Sequence, residues 1–145
     1  MTGIWNLMKS SASILLVDDQ PDLLTNLSLA LEAAGYQTLI ASDGLEALTA
    51  LQSQSVDLIV SDIEMPRMNG YQLYQWVQDN PKWVRIPFLF LSAHLPDTDI
   101  YLGQNLSTDD YLTKPIRTGD LISIVQNKLQ HDQNRDHNQS NPDII

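Results

Sequence analysis

Short, wholly apolar runs alternate along this chain with stretches that repeat at helical spacing, and that alternation narrows the available folds more than any other feature. Ile14-Leu15-Leu16-Val17 is apolar throughout, the pattern of a strand buried on both faces. Asp22 to Ala34 places Leu23, Leu27, Ala30, Leu31 and Ala34 at helical intervals, with Gly35 as its stop. Tyr36 to Ala41 reads as a second strand. Asp43-Gly44-Leu45-Glu46 has the spacing of a capping box and opens a helix through Leu51, with Leu45 and Leu48 inward. Val56 to Ser61 is a third strand ending at Asp62, and Gly70 to Asp79 is a helix with Leu73, Trp76 and Val77 on one face. Pro87 to Leu91 is a fourth strand, Asp97 to Leu106 a weak helical stretch, and Asp110 to Thr113 a fifth strand. Arg117 to Gln130 closes the series as an amphipathic helix, with Leu121, Ile124, Val125 and Lys128 in one row.

Parallel strands need long crossover connections, and helices supply them, so five such strands predict an α/β fold with helices on both faces. Right-handed crossovers leave few topologies. The leading one is a doubly wound five-stranded parallel sheet of order 2-1-3-4-5. The 145 residues suit one domain, expected over residues 12–130. Residues 1–11 read as a leader and 131–145 as a polar tail or linker without order of its own.

Eighteen acidic against eight basic side chains give a net charge of -10, which repels phosphate backbones and argues against direct nucleic-acid binding. The chain has no cysteine, so disulfides and thiolate metal sites are excluded. Its longest apolar stretches, Ile14 to Val17 and Ile86 to Leu91, are too short to span a bilayer. Lys9 is followed by only a four-residue apolar run before Asp18 and Asp19, unlike a signal peptide. A cytoplasmic protein with no membrane contact is expected.

In doubly wound sheets, chemistry collects at the carboxyl ends of the strands. Here strand 1 ends in Asp18-Asp19, strand 3 in Asp62, strand 4 in Ser92 and strand 5 in Lys114. Each has a plainer reading: Asp-Asp as a turn and helix cap, Ser61-Asp62 as another cap, Lys114-Pro115 as a loop. Their joint arrival at one rim is what carries weight. Three converging carboxylates repel unless a cation joins them, and hard oxygen ligands suit Mg2+. A lysine and a serine at the same rim supply the point charge and hydroxyl donor that a phosphoryl group takes.

Four blocks resemble the receiver domains of two-component response regulators, whose type fold is the CheY-like one. They are Leu15-Leu16-Val17-Asp18-Asp19-Gln20-Pro21, Asp57 through Gly70 (DLIVSDIEMPRMNG), Phe90-Leu91-Ser92-Ala93 and Asp110-Tyr111-Leu112-Thr113-Lys114-Pro115. The resemblance spans roughly residues 12 to 130 and implies phosphorelay signalling. In it, Asp62 is the nucleophile that takes a phosphoryl group from a phosphohistidine on a sensor kinase or transfer protein. Asp19, Asp62 and the Glu64 carbonyl would hold Mg2+, with Asp18 acting through a metal-bound water. Lys114 and Ser92 would contact phosphoryl oxygens. Ser92 and Tyr111 would form the switch, biasing the face made by the helical stretch Asp97 to Leu106, strand 5 and the helix Arg117 to Gln130, through which an unknown protein target or a homodimer partner would bind. The Lys114-Pro115 bond is expected to be cis.

The resemblance also implies self-catalysed phosphorylation and dephosphorylation, not turnover of a substrate. Met65-Pro66 and Met68-Asn69-Gly70 read as turn chemistry without a chemical role. His94 reads as an uninvolved imidazole, and Trp5, Trp76 and Trp83 as packing residues. Pro96, Gly103 and Asn105 are poor helix formers, so the helix expected between Asp97 and Leu106 should be short or mobile.

Three rivals stay open. A haloacid dehalogenase-type phosphatase also uses a strand-end aspartate and Mg2+, but wants a second aspartate two residues on, where Gln20 and Glu64 stand here. A flavodoxin-like FMN carrier shares the topology, but the loop after strand 1 is anionic. A receiver-like interaction module that works without phosphate would keep the fold and need none of the rim residues.

Overall fold

The computed structural model describes residues 11–93 and 111–139, the side chains of 131–139 excepted. Strands β1 (Ser13–Val17), β2 (Gln37–Ala41), β3 (Leu58–Asp62), β4 (Phe88–Ser92) and β5 (Tyr111–Thr113) form one sheet of order β2-β1-β3-β4-β5. Every neighbouring pair is parallel. Helices α1 (Pro21–Ala33), α2 (Gly44–Ser53), α3 (Gly70–Asp79) and α4 (Thr118–Gln139) connect or follow them. This is the predicted doubly wound α/β sheet. The stretch expected as a helix between Asp97 and Leu106 lies outside the described residues, as do Trp5, His94 and Asp110.

Strand side chains alternate between faces, so the sheet sorts its residues into two layers. Leu15, Val17, Ile59, Phe88 and Phe90 face α2 and α3, burying Ala47, Leu51, Leu73 and Val77. Ile14, Leu16, Leu58, Val60, Leu89 and Leu91 face α1 and α4, burying Leu24, Leu27, Leu31, Leu121 and Val125. Both faces of the central strands are therefore apolar, which is why their sequences read as unbroken hydrophobic runs.

Several inward positions differ from the periodic reading. In α2, Gly44, Ala47 and Leu51 are buried while Leu45 is 43% exposed. The inward position of the first turn admits only glycine, because a Cβ on Gly44 would lie 2.7 Å from Met68 Cγ. Leu45, one residue and about 100° further round, turns to solvent. In α1, Leu24 takes an inward place and Ala34 is exposed. In α3, Gly70, Leu73 and Val77 form the buried row. Tyr74 fills the edge of that row against Phe88, and Trp76 falls outside it at 56% exposure. Trp83 does pack against the core.

Helix ends also depart in detail. Asp43 caps α2 by accepting from Glu46 N at 2.9 Å, but the Glu46 side chain returns to Ser42 N, one residue earlier than a capping box requires. The reciprocal box stands instead on α3, between Asn69 and Gln72. The backbone of α4 stays helical to Gln139, past the Gln130 expected. The apolar pattern marks only the part of that helix with a sheet to cover, and polar residues can extend a helix beyond it.

Candidate functional site

Sheet register builds the site. Val17 pairs with Ala41 on one side and Ser61 on the other, so one residue further along Asp18 and Asp62 stand side by side at the carboxyl edge. Asp18 is 2% exposed and Asp62 6%, whereas Asp19 faces solvent. One carboxylate oxygen from each of the three lies within 4.8 Å of the others. Asp18 Oδ1 accepts from Gln20 N at 2.9 Å, and Asp62 Oδ1 accepts from Ile63 N at 2.8 Å. These bonds fix which oxygen of each carboxylate points to the shared space.

β5 delivers the cation. Lys114 follows Thr113, which pairs with Ser92, and Lys114 N donates to the Ser92 carbonyl at 2.7 Å. Its Nζ then reaches 2.8 Å from Asp18 Oδ2 and 3.6 Å from Asp62 Oδ2. The Lys114-Pro115 bond is cis, as expected. Among the described residues, buried Asp18 Oδ2 is met by this ammonium and accepts no other hydrogen bond. Burial raises the Asp62 pKa above the usual carboxylate range, and the charge of Asp18 adds to it. The Lys114 ammonium and the amides of Ile63 and Glu64 offset only part of this. Burial works to lower the Lys114 pKa, but the contacts with Asp18 and Asp62 outweigh it and the net shift is upward.

The arrangement suits a hard divalent cation. Its donors are all carboxylate oxygens, the only counter-charge that bridges them among the described residues is the Lys114 ammonium, and burial disfavours the charged form of Asp62. Solvent on the Asp19 side leaves room for water or a further ligand.

Ser92 is buried at the same rim. Tyr111 lies one strand over, its ring stacked on Phe90 with centroids 5.1 Å apart, and its hydroxyl donates to Tyr71 Oη at 3.1 Å. The rim thus brings together Asp18, Asp19, Asp62, Ser92 and Lys114. Glu64 lies exposed in the loop after β3, with its amide turned to Asp62.

Some working residues were not legible from sequence. Tyr71 looked like any polar-edged helix residue. Gly70 read as turn chemistry, yet a Cβ there would collide with the Asp62 carbonyl and lie 2.9 Å from Ile63 Cα. α3 can start so close to the backbone of Asp62 only because that residue is glycine. The Asn69-x-x-Gln72 capping box was also missed, and its N-cap-to-N3 spacing is the signal that could have found it.

Comparison with known proteins agrees in one direction. The family profile described as the response regulator receiver domain matches residues 14–126. The response regulator GtcR of Aneurinibacillus migulanus is 34% identical over 120 residues, covering 83% of this chain and 48% of that protein. The chain thus spans about half the length of that relative. The chemotaxis response regulator CheY4 of Vibrio cholerae superposes with a TM-score of 0.73 at 30% identity, covering 81% of this chain and 98% of that one. A receiver domain of a sensor histidine kinase from Pseudomonas aeruginosa, solved with a magnesium ion coordinated in its active-site cleft, superposes with a TM-score of 0.73. It is 28% identical and covers 83% of this chain and 98% of its own.

Proposed function

The chain belongs to the response regulator receiver domain family, and from that premise we propose that Asp62 accepts a phosphoryl group from a phosphohistidine in a Mg2+-dependent reaction. The observation that carries the proposal is the meeting of Asp18, Asp19, Asp62 and Lys114 at one strand-end rim.

Asp18, Asp19 and Asp62, with the Glu64 carbonyl, would hold Mg2+; the magnesium-bearing kinase receiver domain supports this choice of cation. Bound there, the metal neutralises charge that would otherwise keep an anionic carboxylate from an anionic phosphoryl group. An Asp62 oxygen attacks phosphorus, the bond from phosphorus to the imidazole nitrogen breaks, and the imidazole of the donor leaves with the bonding pair. Lys114 would shift from its carboxylate partners toward a phosphoryl oxygen, and the Ser92 hydroxyl would donate to another. Both are held for this by backbone pairing between β4 and β5, so little ordering is left for the moment of reaction.

Tyr111 is the reporter we assign to the switch. Its ring sits on Phe90, two residues before Ser92, so a movement of Ser92 is transmitted along the same strand. The phosphoryl donor would be a sensor histidine kinase or a phosphotransfer protein, and the target a protein bound by the surface that includes β5. The chain would catalyse its own phosphorylation and dephosphorylation without turning over a separate substrate. Among the described residues no helix is long and apolar enough to cross a membrane.

The test is incubation with acetyl phosphate as a small-molecule donor, read by intact mass. One phosphoryl group is expected with Mg2+ and none with EDTA. Labelling that ignores EDTA would refute the metal-dependent reading.

A further inference from the structure

We propose that Arg67 is a positioning residue that fixes the metal-site loop after Asp62 by clamping it to the start of α2. The loop, residues 63–69, carries both the amides that hold the Asp62 carboxylate and the Glu64 carbonyl assigned to the metal. Its ends are tied: Gly70 N donates to Ile63 O at 2.8 Å, and Met68 N to Pro66 O at 2.7 Å. Those bonds close the loop on itself but do not set its position over the rim.

Arg67 does that. Its Nε donates to Asp43 Oδ2 at 2.8 Å, and Nη2 contacts the same oxygen. Asp43 is a fixed anchor, 3% exposed, with Oδ1 committed to Glu46 N as the cap of α2. A second contact lies beside the first, since Met68 sits over Gly44 so closely that any side chain there would strike it. Two adjacent residues of the loop are thereby locked onto the cap and the first residue of α2.

The backbone supports a purpose for the side chain. Arg67 has φ 66°, a conformation that glycine adopts freely and arginine only against a cost. Glycine would suit the turn better, so what arginine adds is its reach to Asp43. The plain alternative is an exposed arginine that merely screens an acidic protein or strengthens a helix cap, and the two roles separate by experiment.

The inference rests on the reading of Asp62 as part of a Mg2+ site, and the test separates the two. Mg2+ binding is measured by calorimetry on the full chain and on Arg67→Gly, Arg67→Lys and Asp43→Ser. Serine keeps the cap, lysine keeps the charge without the fork, and glycine relieves the backbone. Arg67→Gly and Asp43→Ser are each expected to weaken Mg2+ binding about tenfold, as loss of a ligand-orienting partner does. The double variant is expected to be no weaker, Arg67→Lys to fall between, and the thermal midpoint of Arg67→Gly to stay near the parent's. Mg2+ affinity in Arg67→Gly within about twofold of the parent overturns the clamp, because the orienting partners of metal sites cost more than that. If the parent binds no Mg2+, the site reading fails, and the clamp is judged by amide exchange. Faster exchange at Met68 and Gly70 in Arg67→Gly upholds it, and unchanged exchange overturns it.

Discussion

The Lys114 ammonium stands 2.8 Å from Oδ2 of the buried Asp18 and 3.6 Å from Oδ2 of Asp62, one cation set against two carboxylates. Without it, Asp18 and Asp62 would face each other across the rim with no salt-bridge partner among the described residues. The lysine thus holds the two acids together in the metal-free protein, and in the proposed reaction it would also meet the phosphoryl group.

Replacing Lys114 by methionine tests the first role. The side chain is 16% exposed, so the loss should be smaller than for a fully buried pair, about 2 kcal/mol in the metal-free protein. Urea denaturation at neutral pH measures it. Saturating Mg2+ is expected to recover much of the loss, since the metal supplies the missing charge, while acetyl phosphate labelling stays low.

Asp62 should act in the opposite direction. Its folded pKa is raised, by burial first and by Asp18 second, so the folded state holds its proton more tightly than the unfolded chain does. That preference favours folding below the unfolded carboxylate value near 4 and is lost as pH rises through the raised folded value. At neutral pH an ionised Asp62 therefore works against the metal-free fold. Asp62→Asn is expected to stabilise the metal-free protein at pH 7, because burial and the Asp18 charge both disfavour the ionised carboxylate. Near pH 3.5 the gain should vanish. With Mg2+ at a hundred times its dissociation constant the parent should gain about 2.7 kcal/mol and the variant far less. Urea midpoints at the two pH values, with and without Mg2+, check all three.

Gly70→Ala sets helix propensity against packing. Alanine favours a helix by up to about 1 kcal/mol over glycine. Here its Cβ would collide with the Asp62 carbonyl oxygen and lie 2.9 Å from Ile63 Cα, both backbone positions with no rotamer to change. Overpacking costs about 1–3 kcal/mol, so even after the full propensity gain a net loss of up to about 2 kcal/mol is expected. Because the displaced atoms belong to Asp62 and its neighbour, phosphoryl acceptance should fall as well. A stabilised Gly70→Ala would show that the close approach is not required.

The sheet order and the rim were legible because both rest on short-range patterns. Apolar runs ending in Asp18, Asp62, Ser92 and Lys114 state where each strand stops, and parallel register brings the stops together. Helix facing was less legible where a neighbour decides it. Leu45 looked inward until Met68 required glycine at position 44, and Trp76 looked inward until Tyr74 filled the space against Phe88. The pairing of Arg67 with Asp43 spans 24 positions and joins two loops, so no local period could announce it. Likewise, the hydrogen bond from Tyr111 to Tyr71 depends on how α3 lies against β5.

Reductive trapping of the phosphorylated protein addresses the central assignment most directly. Borohydride converts an aspartyl phosphate to homoserine, and peptide mapping by mass spectrometry then reads the modified position. After acetyl phosphate and Mg2+, homoserine is expected at residue 62 alone, and none in Asp62→Ala. Homoserine at Asp18 or Asp19, or phosphorylation persisting in Asp62→Ala, would contradict the account.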